Sequence, residues 1–458
     1  MSLALILSII LKGIGAVLEI LLQIFITRKI GVSGYGSYST WINMADLIFW
    51  IFFSGIVKCN TFYLSGGNIA ISSFKKKYYS RYVLPVFAVI LIIMSVVRDR
   101  TVVGLVICIS CLELLMYDQS STLLARGKMV RSLVGEYVLG RLILLVGVWL
   151  MERMSLRALL TLYMFQYVIV LLVFLIQRNT DKDQKKDVSS EMSLKKWGAY
   201  QWADLMYSMI SQMPVVLQYF FAGAFEAGVV SIVLLVKKLI NFISGPTAKI
   251  FLPEFSRMYR NGKEREMREY YASIMRLQML FVGPLAVVLL GFPEVILNIL
   301  SEELLEHTNL FIICSGIFLL TATLGPCGGI MQMTGNEKMD NRCREWSLVL
   351  MLFTMFIFRK DHLFVLYCLC MQAASEAVGK YYFVCKWMKK APVRAGTYIK
   401  WWIVPVVVII GVYLLNIQDS VIWMAVLSGA VFLTEGIIEL KKSNGIFVIK
   451  KLLKRMYQ

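Results

Sequence analysis

Eight basic side chains stand inside long apolar runs: Lys12, Lys58, Arg141, Lys237, Lys238, Lys249, Arg276 and Lys380. A charge inserted into lipid costs about 2.5–3.5 kcal/mol, so each must face a partner or water. Eight acidic side chains are embedded in the same way: Glu19, Asp46, Glu113, Asp118, Glu136, Asp204, Glu376 and Glu435. Such a set supports two kinds of chemistry, mutual neutralisation or a wet passage in which an ionic ligand is held. Glu376 and Lys380 are four apart on one helical face and read as a pair. Lys249 and Arg276 lie near run ends, where the charge can snorkel to the interface as readily as serve a site. Lys12, Lys58, Lys237 and Lys238 stand mid-run and are the candidates to meet an anionic ligand.

Their spacing puts them on polar stripes. Ser8, Lys12, Gly15, Glu19, Gln23 and Thr27 follow one another at steps of three or four, which is one face of a helix. A second run repeats the pattern with Asn43, Asp46, Trp50, Ser54, Lys58, Thr61 and Ser65. A third carries Gln201, Asp204, Ser208, Ser211, Gln212 and Gln218, and a fourth Ser231, Lys237, Lys238, Asn241, Ser244 and Lys249. Gln201 and Gln212 join the four lysines as candidate ligand-binding groups; Glu19, Asp46 and Asp204 are candidates for coupling to H⁺ or Na⁺. The two histidines, His307 and His362, sit at run ends, and the nine cysteines are scattered in apolar surroundings, so neither a metal site nor a redox centre is expected.

The elements that must position these groups are transmembrane helices. The chain is 58% hydrophobic and 17% charged, against about a quarter charged in soluble domains. Its apolar runs are long enough to cross a ~30 Å hydrocarbon layer. Fourteen spans are expected: 3–27, 40–66, 82–97, 101–125, 132–151, 156–177, 198–222, 226–252, 273–300, 308–333, 344–358, 362–387, 399–416 and 420–440. The first, which holds Lys12 and Glu19 and has no small-residue cleavage site, reads as a retained helix and not a signal peptide. Taken alternately, the breaks on one side hold 32 Lys and Arg and those on the other hold 8, which places both termini in the cytoplasm. The same asymmetry accounts for the net charge of +19 through anionic lipid headgroups, without nucleic acid. External breaks are too short for the substrate platform of a membrane glycan enzyme. Pro246 and Pro284, within the eighth and ninth spans, are expected kinks and candidate bending points.

One corner recurs. "IGVSGYGSYS" at 30–39 and "AGAFEAGVVS" at 222–231 align Gly31 with Gly223, Gly36 with Gly228 and Ser39 with Ser231. Each joins two long spans, and six spans separate the copies, so the halves should be parallel repeats about an axis along the membrane normal. Glycine there supplies a helix stop and lets the next helix start close by.

With "FITRKIGVSGYGSYSTW", "QMPVVLQYFFAGAFEAGVVSIVLLVKKL" and "GNEKMDNR", the chain resembles the multidrug/oligosaccharidyl-lipid/polysaccharide (MOP) exporter superfamily, in particular its polysaccharide-export or Wzx-type O-antigen flippase branch. The resemblance implies an all-α fold of two six-helix lobes around a central cavity lined by helices 1, 2, 7 and 8. The expected layout is an N-lobe at 1–178, a cytoplasmic linker at 179–197, a C-lobe at 198–388, two extra spans at 389–440 and a basic tail at 441–458. It implies a bacterial cytoplasmic-membrane transporter of polyprenyl-diphosphate-linked oligosaccharide, working beside polysaccharide polymerase and glycosyltransferases, and not an enzyme. An H⁺- or Na⁺-coupled antiporter of organic cations, from the multidrug branch, is the alternative that the embedded carboxylates leave open.

Overall fold

In a computed structural model, the residues described are 3–57, 60, 78–95, 100–126, 128–152, 154–178, 201–202, 205–206 and 208–441. They are helical almost throughout, because backbone polar groups in hydrocarbon can be satisfied only within the segment itself. The first helical stretch, Leu3–Phe52, is broken at Gly31, giving α1 (3–30) and α2 (32–52). There follow α3 (Leu84–Ser95), α4 (Arg100–Ala125), α5 (Met129–Leu150), α6 (Leu156–Arg178) and α7 (Met213–Phe221). The rest are α8 (Ala224–Arg260), α9 (Glu264–Ala286), α10 (Thr308–Thr323), α11 (Glu337–Phe358), α12 (Phe364–Trp387), α13 (Ala395–Leu414) and α14 (Val421–Lys441). In its described residues, each expected span overlaps a helix. Eight helical stretches among the described residues are long and apolar enough to cross a membrane; α11 and α12 fall short because they carry charged and amide side chains.

Several boundaries differ from the sequence reading, each for a local reason. The corner at 28–40 is helical except for Gly31, whose φ of 71° and ψ of 172° lie in a region essentially confined to glycine. One residue turns the chain, so α2 starts eight residues earlier than expected. The ninth span is not continuous: α9 passes three residues beyond Pro284 into a π-turn, Val287–Gly291, and a short helix, Pro293–Leu300, restarts with proline in its first turn. The tenth is split at Gly325, with φ of 84°, and Pro326 before the short helix Cys327–Met333. The eleventh begins at Glu337 rather than 344, so "GNEKMDNR" is mostly helix and not loop.

By contacts the chain divides into Ser2–Ser231 and Ile232–Gln458. In the first unit α1 packs on α5, α2 on α7, and α4 on α6. Lys29 caps the end of α5, its ammonium donating to the carbonyls of Val148 at 2.6 Å, Trp149 at 3.2 Å and Met151 at 2.7 Å. A cation there satisfies orphan carbonyls and opposes the negative end of the helix dipole. In the second unit, a core of Phe255, Tyr271, Met275, Ile330, Val384 and Met388 ties α8, α9, α12 and the Cys327–Met333 helix together. The two C-terminal helices pack on the π-turn of α9 through Val287, Phe292, Val412 and Val431.

Candidate functional site

The polar stripe of α1 meets α5 turn by turn. The Lys12 ammonium lies 5.5 Å over the Tyr137 ring. Gly15 lets the helices close up: a β-carbon there would stand 2.8 Å from the Tyr137 carbonyl oxygen. One turn on, Arg141 pairs with Glu19 at 3.2 Å and donates to the Glu136 carbonyl at 2.7 Å. Gln23 donates to Glu19 at 2.9 Å and accepts from the Tyr35 hydroxyl at 2.7 Å. On the far side of Arg141, the Glu136 carboxylate accepts from Ser120 at 3.1 Å, which contacts Ser132 at 2.7 Å. A polar network therefore runs from Tyr35 through Gln23, Glu19 and Arg141 to the α4–α5 interface. Asp46 of α2 lies within electrostatic reach of Glu113, Tyr163 and Tyr167.

These groups are half-buried, not sealed. The Glu19 and Arg141 side chains are 30% and 31% exposed, and Lys12 and Asp46 are of the same class. What they face follows from the other side of α1. Ile10, Ile14, Val17, Leu21 and Phe25 are exposed apolar residues on a second stripe. At 3.6 residues per turn, that stripe lies on the side of the helix opposite Lys12, Gly15, Glu19 and Gln23. Lipid belongs on the apolar side. Ions exposed on the other side would cost several kcal/mol each against hydrocarbon, so that side faces the bundle interior or water.

The recurring corner assembles as a self-complementary contact. Gly223, like Gly31, has positive φ, at 119°. A β-carbon on Gly36 would overlap the Ala224 carbonyl oxygen, and one on Gly228 would overlap the Val32 carbonyl oxygen. Since Val32 aligns with Ala224 and Gly36 with Gly228, each copy presents to the other the residue that receives it, the signature of a two-fold contact. Ser231 donates to Ser39 at 2.8 Å across it.

In the second unit the expected Glu376–Lys380 pair is present at 2.6 Å, within a larger cluster. Lys380 also pairs with Asp340 at 2.7 Å, and Arg344 reaches Asp340 at 3.4 Å and Glu376 at 3.7 Å. Gln332 and Gln372 donate to the two carboxylates at 2.8 Å and 2.6 Å. Asp340 falls before the expected eleventh span and Arg344 at its first residue; their i, i+4 spacing at the head of α11 is the signal that joins them. Lys237 is half-buried over the Phe318 ring at 5.5 Å and within electrostatic reach of Glu376, whereas Lys238 is exposed.

The remaining expected site residues scatter. Gln201 serves the backbone: its side-chain oxygen accepts from the Gly55 N–H at 2.8 Å and its nitrogen donates to the carbonyls of Trp50 at 2.6 Å and Ile51 at 2.7 Å, closing the break after α2. Gln212 accepts from Ser211. Arg276 lies 5.7 Å from the Trp401 ring. α8 is helical through Pro246, while Pro284 precedes the π-turn of α9. Lys58 and Asp204 lie outside the described residues, as do the side chains of Pro246 and Lys249.

No protein-family model matches the chain, and no curated protein resembles it in sequence. Solved structures do resemble it in fold. Lipid II flippase MurJ, in an inward closed conformation, superimposes with a TM-score of 0.69 over 94% of this chain and 98% of that one, at 13% identity. An inward-facing multidrug resistance MATE family transporter of the MOP superfamily gives 0.63 over 83% and 98%, at 12% identity. A MOP superfamily transporter from Pyrococcus furiosus, described as having a binding pocket of reversed polarity, gives 0.53 over 84% and 95%, at 14% identity. The chain thus has the fold of MOP superfamily transporters and is a multi-pass membrane protein.

Proposed function

We propose that the chain moves a polyprenyl-diphosphate-linked oligosaccharide across the bacterial cytoplasmic membrane by alternating access. The observation that carries this reading is the half-exposed charge tract of Lys12, Glu19 and Arg141, turned away from the lipid face of α1. Such a surface holds a diphosphate through ammonium and guanidinium groups whose attraction grows as the dielectric falls. The prenyl tail needs no polar path and stays in the bilayer. Glu19 and Asp46, which both act electrostatically on Tyr163, are the carboxylates to which the H⁺ or Na⁺ that couples the cycle would bind.

A cation antiporter shares this fold, and the embedded carboxylates suit it. What favours the lipid-linked substrate is the extent of the likeness. The residues unmatched to the flippase are fewer than α13 and α14 occupy, so at least part of that pair is matched; the MATE superposition leaves out a larger share. In a strain deleted for this protein, the lipid-linked glycan should accumulate in the cytoplasmic leaflet and return to normal on complementation. Resistance to cationic dyes conferred by the chain, with no glycan accumulation on its loss, would overturn the reading in favour of the antiporter.

A further inference from the structure

A pocket of about 230 Å³ opens between α9, α13 and α14, lined by Arg276, Thr397, Lys400, Trp401 and Glu435 together with apolar side chains. From these residues we infer a binding site for one anionic phospholipid of the leaflet that the lysine and arginine distribution assigns to the cytoplasm. The inference is independent of the proposed substrate.

Size sets the first limit. The volume falls below the ~300–1,000 Å³ of pockets that enclose a drug-sized ligand, so it admits a glycerophosphate head and not an oligosaccharide. Charge sets the second. Arg276 and Lys400 against Glu435 leave one surplus positive charge, which a single phosphodiester neutralises and a diphosphate would overshoot. Two unpaired donors belong to its lining residues. Arg276 Nε and Trp401 Nε1 are buried and have no hydrogen-bond partner among the described residues, a costly state that an acceptor oxygen would relieve. Arg276 is held over the Trp401 ring, and Thr397 offers its hydroxyl from the first turn of α13, where the helix dipole favours an anion. Glu435 is turned to α9: a β-carbon on Gly283 would stand 2.6 Å from its Oε1. An acyl lane continues from the headgroup. Met279, Leu280 and Val404 floor the pocket, and Val407 and Ile410, one and two turns deeper along α13, are exposed to lipid. Basic pockets between membrane helices on the cytoplasmic side take lipid headgroups of this class.

The test uses the full chain purified in detergent, with phosphatidylglycerol, phosphatidylcholine or inorganic phosphate added and retained lipid read by native mass spectrometry. Phosphatidylglycerol should bind the wild type far more tightly than phosphatidylcholine does. R276Q/K400Q should lose roughly 30-fold in its affinity, the loss expected for two basic contacts near the membrane surface. Glu435→Gln should tighten binding, because it removes the competing negative charge. Trp401→Phe keeps an aromatic ring beside Arg276 and removes the N–H, so it should weaken binding even if the double variant does not fold. Equal retention of the two lipids, or equal phosphatidylglycerol binding by wild type and Trp401→Phe, would overturn the site. Competition by millimolar inorganic phosphate as effective as that by the lipid would overturn the lipid assignment and leave a free-phosphate site.

Discussion

Gly36 and Gly228 are in backbone contact: a β-carbon placed on Gly36 would stand 2.5 Å from the Gly228 amide nitrogen and overlap the Ala224 carbonyl oxygen. Backbone atoms have no rotamer into which to retreat, so the strain must move a helix. Gly36→Ala and Gly228→Ala should each destabilise by about 1–3 kcal/mol, the usual cost of overpacking, and by similar amounts because the two sites are equivalent. Gly104→Ala on α4 is the control, since nothing lies within 4 Å of its β-carbon position. There the change should be neutral or stabilising by up to ~1 kcal/mol through helix propensity. Melting temperatures in detergent decide it; a Gly36→Ala protein that melts with the wild type would show the contact to be loose.

The same contact tests the transport cycle. Ser39 and Ser231 are joined at 2.8 Å where the two corners meet. On the expected topology this is the external end, which the proposed alternating access must open. S39C/S231C should therefore form a disulfide under mild oxidant, lose transport, and regain it on reduction. Oxidised protein that still moved glycan at the wild-type rate would show that this contact stays shut throughout the cycle.

Lys380 holds two carboxylates, at 2.7 Å from Asp340 and 2.6 Å from Glu376, and the Asp340 side chain is fully buried. Removing one member of a buried ion cluster leaves uncompensated charge. Lys380→Met should cost about 3 kcal/mol, the lower end of the range because Arg344 remains beside both acids. Asp340→Asn added to it should restore most of the loss. If the double variant is no more stable than Lys380→Met alone, the cluster is not held together by charge balance.

The helices and the corner were legible because they depend on local quantities: the length of an apolar run, and a glycine at which the chain turns. The echo of 31–39 in 223–231 even contained the Gly36–Gly228 contact, though three matched letters do not say that the copies touch. What was not legible depends on partners distant in sequence. Gln201 reads as one more polar residue on a stripe, yet it closes a helix break 146 residues away. Asp340 looks like loop because a polar first turn of a helix and a polar loop have the same composition. The α1 stripe was visible, but only the packing of Lys12 on Tyr137 and Glu19 on Arg141 reveals that α5 lies against it.

Lys12 separates a structural charge from a functional one. Its ammonium sits over the Tyr137 ring at a half-buried position, where a cation–π contact is worth about 0.5–1 kcal/mol. Lys12→Gln removes that contact and the charge that acts on Glu136, so its melting temperature must be read beside its transport. If the ammonium contacts the anionic head of the substrate in a medium of reduced dielectric, the same change should slow flipping by roughly tenfold or more. Lys12→Arg should retain most of the rate, and Tyr137→Leu, which removes the ring and keeps the charge, should affect transport less than Lys12→Gln. A Lys12→Gln protein that is stable and flips glycan at the wild-type rate would remove the cationic tract on α1 from the substrate path, because no other change at this position discards the charge while leaving a polar side chain of similar reach.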